Sequence, residues 1–353
     1  MVRVAGATDV SAEPVRHQAR PITLADIARE AGTSPSTASR ALSGRGYVAA
    51  DVRERLLSAA ERLGYVPNAS ARTLKQKTSR VVGVVVSDLD NHFYGGLAAG
   101  IEQTLRAASF QMMLVSDNSE SAEETAAVRT FLAMHSPGVI LTPVGSDATS
   151  LLHRRGVPVV EVDRRLATVP CDAVVVDNEG GARAAVDHLL SLGHRRIALL
   201  VVDTAWTSDA GRLAGYREAH AAAGIPVDER LVLRMPFHDP LAEQRIARLL
   251  EREAPSAIFA ANNLLAEQAW RVLRARGLSL PTDISLVGFD DVQWTEMVSP
   301  GITTVAQPTI ELGRRATELL LQRIERPGSP VRVELLEPRL VVRGSTGPAR
   351  ASA

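Results

Sequence analysis

The segment from Ile22 to Leu42 (ITLADIAREAGTSPSTASRAL) predicts two short helices joined by a tight turn. Its first half places apolar side chains at helical spacing, at Leu24, Ile27, Ala28 and Ala31. Thr23 and Asp26 are spaced as an approximate capping box at the start of that helix. Gly32 can adopt the left-handed conformation that ends a helix.

The second helix of this segment has its own start signal. Ser34 is an N-cap residue, and Pro35 follows where a missing N–H group costs nothing. Its outward face is small and polar, with Ser36, Ser39 and Arg40. The pair predicts a helix-turn-helix, with an ordinary helical hairpin as the alternative. A third helix is predicted over 51–63, with inward side chains at Val52, Leu56, Leu57, Ala60 and Leu63.

Charge is unevenly distributed along the chain. The formal net charge is zero, but residues 1–80 contain thirteen Arg and Lys against seven Asp and Glu, about +6. The remainder then carries about −6. A small basic module beside a larger acidic body indicates nucleic-acid contact at one end, with a chance fluctuation as the alternative.

Composition excludes several classes of protein. With 45% hydrophobic and 23% charged residues, the chain can form a packed core. No apolar run reaches the ~18 residues of a membrane span, and residues 1–20 lack a signal-peptide pattern. The single cysteine, Cys171, excludes an intramolecular disulfide and does not suggest a zinc site. We therefore expect a cytoplasmic protein.

From Val81 onward, strand-like and helical segments alternate. Buried strands are predicted at 81–87, 111–116, 139–142, 157–162, 173–176, 197–202, 256–261 and 284–288. Amphipathic helices are predicted near 94–108, 121–135, 179–192, 209–223, 241–253, 264–276 and 309–325. The alternation predicts an α/β core of parallel sheets covered by helices on both faces. The strands are too numerous for one compact sheet, so we divide the core near 177–178.

Several motifs, in order, resemble the lactose/galactose repressor (LacI/GalR) family over residues 22–346. They are 23–42, YVPNA at 65–69, VVGVVVSDLDNHFY at 81–94, VDR at 162–164, VVVDNEGGARAAVDHLLSLGHRRIALL at 174–200, RLAGYREA at 212–219, AIFAANN at 257–263, ISLVGFDD at 284–291, ITTVAQP at 302–308 and LVVRGST at 340–346. The resemblance implies an all-α helix-turn-helix headpiece, a hinge, and a core of two Rossmann-like lobes similar to periplasmic binding proteins. It also implies that the chain passes between the lobes three times.

These expectations define the domain boundaries. Residues 1–20 form an arm, 21–67 the headpiece, 68–80 the hinge helix and linker, and 81–346 the core. Lobe one takes about 81–177 and 308–330, and lobe two about 178–307 and 331–346.

The resemblance assigns DNA contacts to the headpiece and hinge. The candidates are Thr33, Ser34, Pro35, Ser36, Thr37, Ser39, Arg40, Tyr47, Asn68, Ala71 and Leu74. Arg40 is expected to have the strongest base preference, because arginine binds guanine through two hydrogen bonds. Its alternative is a solvated surface charge. The segment NASARTL resembles the hinge helix, with Leu74 as a minor-groove wedge or, alternatively, packed on the core. A homodimer on a near-palindromic operator is implied.

Effector contacts are expected where strands end, because ligands of open α/β lobes bind at the carboxyl ends of strands. Strand ends and the resemblance together give Asp88, Asn91, Phe93, Tyr94, Asp163, Trp206, Arg212, Phe237, Asn262 and Asp290. Carboxylates, amides, an arginine and aromatic rings suit a polyhydroxylated ligand. Alternatively, Asp163 and Asp290 cap turns, Phe93 and Tyr94 are core residues, and Arg212 forms an interdomain salt bridge.

The function implied is sequence-specific transcriptional regulation, with repression as the expected mode, controlled by a small sugar-like effector. We expect neither enzymatic activity nor a cofactor or metal, since the chain has no G-x-G-x-x-G turn, G-x-S-x-G elbow, P-loop or H-E-x-x-H motif. A regulator responding to a nucleoside or purine and a sugar receptor that does not bind DNA are the alternatives. Trp206 stands where purine-responsive members have arginine, which favours a sugar.

Overall fold

A computed structural model describes residues 20, 22–44, 46–65, 79–166, 169–204 and 206–350. The chain divides into two compact units, Met1–Arg72 and Thr73–Ala353. The predicted hinge contacts Asn68, Ala71 and Leu74 lie outside the described residues. None of the described helices combines the length and apolarity needed to cross a membrane.

The first unit contains the three predicted helices, α1 (Leu24–Glu30), α2 (Pro35–Ser43) and α3 (Ala50–Arg62). The capping box is confirmed: Asp26 Oδ2 accepts from the Thr23 N–H group at 2.9 Å, and Thr23 Oγ1 accepts from the Asp26 N–H group at 3.4 Å. Gly32 has a φ of +63°, which makes the turn possible.

The three helices pack around a small core of Ile27, Ala28, Ala31, Ala38, Ala41, Leu56 and Ala59. The prediction that Leu57 points inward was wrong, since its side chain is 50% exposed and Ala59 is buried instead. Residues two positions apart on a helix, such as Leu57 and Ala59, lie on different faces. The polar residues around Leu57 did not show which of these two faces is buried.

The second unit contains two six-stranded sheets. Sheet A has the order β11-β5-β4-β3-β1-β2. Its strands are β1 (Val81–Val86), β2 (Gln111–Ser116), β3 (Val139–Leu141), β4 (Val159–Asp163), β5 (Asp172–Val176) and β11 (Val333–Leu336). All neighbouring strands of sheet A are parallel.

Sheet B has the order β12-β10-β9-β8-β6-β7, parallel except between β10 and β12. Its strands are β6 (Ile197–Val202), β7 (Val232–Met235), β8 (Ala257–Ala260), β9 (Ser285–Phe289), β10 (Thr303–Ala306) and β12 (Arg339–Val341). A short 3-10 helix, Glu229–Leu231, leads into β7.

Helices cover the sheets, and the inner strands form near-continuous buried runs, as expected of parallel sheets. The edge strands β2, β7, β11 and β12 are partly exposed. The helices associated with sheet A are α4 (His92–Ala107), α5 (Ser121–Ala133), α6 (Ser146–Arg154) and α12 (Thr309–Glu325). Those associated with sheet B are α7 (Asn178–Ser191), α8 (Thr207–Ala222), α9 (Ala242–Glu253), α10 (Asn263–Ala275) and α11 (Gln293–Met297). The sequence predicted neither α6 nor α11, which are short, nor β7, β10, β11 and β12.

The two sheets define two lobes, and the chain passes between them three times, after β5, after β10 and after β11. Helix α12 packs along α4 in lobe one, as the resemblance implied. One boundary needs correction, since 331–346 was assigned to lobe two but β11 pairs with β5 of sheet A. After α12 the chain first adds β11 to the edge of sheet A, and it returns to lobe two only with β12.

Candidate functional site

A cavity lies between the lobes at the carboxyl ends of their strands. Lobe one contributes Asn91, Phe93, Tyr94, Asp163 and Arg164. Lobe two contributes Val202, Trp206, Ser208, Asp209, Arg212, Phe237, Asn262 and Asp290, and Gln307 comes from the second crossing. Nine of the ten predicted effector-contacting residues therefore line one cavity.

Asp88 is the exception, and its effector contact stays a prediction. Its Oδ1 accepts from the Asp90 N–H group at 2.8 Å, and its Oδ2 lies 4.0 Å from His238 Nε2 of lobe two. The side chain therefore closes a local turn and faces His238 instead of lining the cavity. The position of Asp88 after β1 does not tell whether its side chain points into the cavity or towards His238.

Two aspartates with unusual backbone conformation present their carboxylates to the cavity. Asp163 ends β4 with a φ of +70°, and Asp290 follows β9 with a φ of +76°. Left-handed backbone is uncommon for residues other than glycine and is concentrated at functional sites. Burial raises the pKa of Asp163 to about 6 against the opposing effect of Arg164 and Arg212.

Asp290 is held by three donors. Its Oδ2 accepts from the Asn263 N–H group and from Asn263 Nδ2, both at 3.1 Å, and its Oδ1 accepts from Gln307 Nε2 at 2.5 Å. Neither aspartate makes a described hydrogen bond that caps a turn following it, as the alternative would require.

Arg212 lies wholly within lobe two. Its Nε donates to Asn178 Oδ1 at 2.8 Å and its Nη1 to the Ala261 carbonyl oxygen at 2.6 Å, and its guanidinium lies 3.9 Å from the centroid of the Phe289 ring. Among the residues described here it forms no interdomain salt bridge. Two neutral acceptors, Asn178 Oδ1 and the Ala261 carbonyl oxygen, therefore fix the direction of the Arg212 guanidinium.

Aromatic side chains line the cavity on both sides. Trp206 and Phe237 meet edge to face with centroids 5.4 Å apart, as do Phe93 and Tyr94 at 5.1 Å. Phe93 and Tyr94 also belong to the core of lobe one, as the core alternative expected, and they line the cavity as well. Burial raises the pKa of Tyr94 to about 12, which keeps its phenol neutral.

Arg164 was not predicted, although it lies in the quoted VDR motif. Its Nε donates to the Pro143 carbonyl oxygen at 2.7 Å, and its Nη2 donates to Ser87 Oγ. Its guanidinium lies 3.6 Å from the centroid of the Trp206 ring in lobe two. The cation thus joins the lobes and covers part of the indole that was expected to stack on a sugar.

Other polar contacts also join the lobes. Asn263 Nδ2 of lobe two donates to Asn91 Oδ1 of lobe one at 2.8 Å, and the Arg165 N–H group donates to Thr207 Oγ1 at 3.1 Å. Asn91 also caps α4 through the Phe93 N–H group.

Ser208, Asp209 and Gln307 line the cavity and were not predicted, because residues at helix starts and at the crossings between lobes do not stand out in the sequence.

The predicted DNA-contacting residues of the headpiece cluster at α2. Ser34 caps this helix by accepting from the Thr37 N–H group at 3.2 Å, and its hydroxyl also bonds to Ser36. Ser34, Pro35, Ser36 and Arg40 are exposed, Thr33, Thr37 and Ser39 are half-buried, and Tyr47 is 90% exposed. The exposed tyrosine and the exposed polar start of α2 are both available for contact with a polyanion.

No group of three His, Cys, Asp or Glu among the described residues could hold a metal ion.

Comparison with known proteins adds independent findings. Residues 23–68 match the family model of bacterial regulatory proteins of the lacI family, and 186–346 match the periplasmic binding protein-like domain. The HTH-type transcriptional regulator DegA of Bacillus subtilis (strain 168) is 35% identical over 92% of this chain and 98% of its own.

Two solved structures are similar to the whole chain. The complex of the transcriptional regulator CelR with cellobiose is 34% identical, with a TM-score of 0.70 over 92% of this chain and 100% of its own. The lac repressor dimer bound to operator and the anti-inducer ONPF is 29% identical, with a TM-score of 0.82 over 93% of this chain and 100% of its own.

Proposed function

The chain belongs to the LacI family of bacterial transcriptional regulators, and we propose that it is a repressor whose grip on operator DNA is set by a sugar-like effector bound between its two lobes. It acts in the cytoplasm without enzymatic activity. The observation that carries the proposal is the cavity, in which polar and aromatic side chains of both lobes surround one space.

For the DNA-reading half, the N-terminal turn of α2 enters the major groove. A recognition helix reads base edges with its first residues, which here are Pro35, Ser36 and Thr37, with Arg40 one turn later. In the structure, Arg40 Nε donates to the Ser36 carbonyl oxygen at 3.3 Å. When this hydrogen bond breaks, the guanidinium can donate to guanine. Thr33, Ser34, Ser39 and Tyr47 fix the register on phosphates.

The assembly follows from the DNA half. A near-palindromic operator presents two half-sites, so a homodimer would place one α2 on each. Asn68, Ala71 and Leu74 would contact the operator centre, where an apolar wedge can unstack a base step.

In the effector-reading half, Asp163, Asn91, Phe93 and Tyr94 of lobe one face the side chains of lobe two across the cavity. Asp163, Asp290, Asn262 and Arg212 would bind ligand hydroxyl groups. Trp206 and Phe237 would contact its apolar face. The CelR–cellobiose complex supports a sugar, because that relative is similar over its whole length.

Coupling between the halves requires an effector that favours one lobe arrangement. The contacts Asn263–Asn91 and Arg164–Trp206 exist only when the lobes are close. A ligand that touches both lobes stabilises the same arrangement, and it can shift DNA affinity by no more than its differential affinity for the two states.

The test uses the full chain. An operator is selected from a randomised palindromic duplex pool, and its dissociation constant is measured with and without each member of a panel of sugars, polyols and nucleosides. We expect at least one sugar to change operator affinity in the whole protein, and Asp163→Asn to abolish that response while DNA binding remains. A panel in which only nucleosides act would reject the sugar assignment and support the nucleoside alternative.

A further inference from the structure

The cavity holds more negative than positive charge. Three carboxylates line it, Asp163, Asp209 and Asp290, against two guanidinium groups, Arg164 and Arg212. All five residues are at most 7% exposed, so solvent screens them poorly. With every group ionised, the lining has a net charge of −1.

Both cations are already engaged by the protein. Arg212 donates to Asn178 and Ala261, and Arg164 donates to Pro143 and Ser87. Each guanidinium also lies over an aromatic ring, so one face of each is unavailable to a ligand. Neither side chain presents the uncommitted fork that phosphate and carboxylate recognition uses. Arg212 keeps Nη2 without a described hydrogen bond, which is enough for one ligand hydroxyl group.

The acceptors, in contrast, are largely free. No described donor bonds to the carboxylate of Asp163, whose nearest cation is Arg164 at 4.0 Å. Asp209 accepts from Thr204 through Oδ2 alone, at 2.5 Å.

Gln307 provides the strongest evidence for a missing donor. Its Nε2 must face Asp290, because a carboxylate only accepts. Its Oε1 is then enclosed without a hydrogen-bond partner among the described residues. A buried acceptor left without a donor costs about 1–3 kcal/mol, so a ligand that donates here gains relative to one that does not.

On the basis of the proposed function, we infer that the effector is a hydroxyl-rich molecule without negative charge, and that this site rejects sugar phosphates and sugar acids. A neutral sugar donates its hydroxyl hydrogens to Asp163, Asp209 and Gln307. A phosphate or carboxylate in the same space adds a negative charge beside three carboxylates and supplies no donor for Gln307.

The pKa directions agree with this charge balance. Burial raises the pKa of Asp163 to about 6, with Asp290 and Asp209 adding to the increase, and burial raises the pKa of Asp209. The cavity already disfavours its own negative charges, so a further anion meets the same penalty.

The decisive experiment compares ligands that differ in charge and little else. Isothermal titration calorimetry of the full protein would use glucose, glucosamine, glucuronate, glucuronamide and glucose 6-phosphate, with the corresponding galactose series. We expect the neutral sugar and the uronamide to bind roughly tenfold or more tightly than the uronate and the phosphate. A uronate or phosphate that binds as tightly as its neutral counterpart overturns the inference.

A matched pair of variants tests the cause. Asp163→Asn should narrow the gap between uronamide and uronate, whereas Asp187→Asn, half-exposed on α7, should leave it unchanged. If Asp163→Asn does not fold, Asp209→Asn serves the same purpose. An unchanged gap in folded variants of both cavity residues would reject the electrostatic explanation.

Failure of the proposed function gives a different result. If nucleosides bind and no sugar does, the sugar assignment fails, and adenosine against adenosine 5′-monophosphate then decides the charge preference of the cavity. Tighter binding of the monophosphate would overturn the inference, and tighter binding of adenosine would support it.

Discussion

The guanidinium of Arg164 lies 3.6 Å from the centroid of the Trp206 ring, which joins the end of β4 in lobe one to the start of α8 in lobe two. The cation is held from its own lobe by Pro143 and Ser87, and Phe237 contacts the indole edge to face. The Arg164–Trp206 contact therefore forms when the lobes are close together, and both residues also line the cavity.

Replacing the indole should weaken effector binding. Trp206→Leu removes a cation–π contact worth about 0.5–2 kcal/mol and the ring that faces the ligand, so we expect effector affinity to fall roughly tenfold. Calorimetry with the best ligand of the panel measures it. Trp270→Leu is the matched control, since Arg274 lies 5.4 Å from that ring outside the cavity. Equal losses in both variants would contradict a local role for Trp206.

The amide pair between the lobes should bias closure. Asn263→Ala removes the side-chain donor to Asn91 at 2.8 Å and to Asp290 at 3.1 Å, but it keeps the backbone N–H group that also donates to Asp290. We expect a larger radius of gyration without ligand, by small-angle X-ray scattering, and effector affinity lower by several-fold. A variant as compact as the parent, with unchanged affinity, would show that this bond does not hold the lobes together.

Asp117 should make stability depend on pH. Burial raises its pKa to about 6 from the ordinary aspartate value of 3.8, and its Oδ2 is buried without a partner among the described residues. Between these pH values the folded state keeps a proton that the unfolded state has lost, so this contribution to stability is present below about pH 4 and lost as pH rises through about 6.

Asp117→Asn removes this titration. The free energy of unfolding of the variant minus that of the parent should therefore rise by up to roughly 3 kcal/mol between pH 4 and pH 7. Urea unfolding at both pH values measures the difference. A difference that does not change with pH would mean that Asp117 titrates alike in both states.

Glycine contacts between α4 and α12 give a clean test of packing. A Cβ at Gly100 would lie 2.1 Å from the Ile310 carbonyl oxygen, whereas a Cβ at Gly95, on the same helix, meets nothing within 4 Å. We expect Gly100→Ala to destabilise the core by about 1–3 kcal/mol and Gly95→Ala to stabilise it by about 0.5–1 kcal/mol. Chemical unfolding of both variants decides, and the same sign in both would contradict the tight approach.

Arg40 should carry base discrimination. Arg40→Ala is expected to cost about 1–3 kcal/mol on the selected operator and to relax preference at one base position. Arg29→Ala, on the exposed side of α1, should leave the preference unchanged. Fluorescence anisotropy on operators substituted at each position measures both. A uniform loss at every position for Arg40→Ala would indicate a phosphate contact instead.

Much of the architecture was predictable because the local pattern of apolar residues indicates the longer strands and helices. The β-branched run at Val81–Val86 and the helix at Thr309–Glu325 are long and strongly periodic, and both were predicted within one residue. Short elements such as Thr303–Ala306 and Arg339–Val341 were missed, because three or four residues do not establish a period. The sheet that β11 joins depends on a crossing distant in sequence, which local pattern does not encode.

The candidate site was predictable where a residue type follows a strand. Asp163 and Asn262 were found this way, and each lies in the cavity. Arg164 and Gln307 were not, because an arginine or glutamine in a loop usually faces solvent and only the folded chain shows them enclosed. Asp88 also follows a strand but is not among the residues that line the cavity, since a strand end fixes position and not the direction of the side chain.

The three passages of the chain between the lobes bear on how the protein is synthesised. Sheet A lacks β11 and the α4 face lacks α12 until residues 309–336 leave the ribosome, and sheet B lacks β12 until a few residues later. Neither lobe can finish its core first, so a nascent chain stopped before residue 309 exposes apolar surface in both. Completion of the two lobes is therefore nearly simultaneous and depends on the synthesis of residues 309–341.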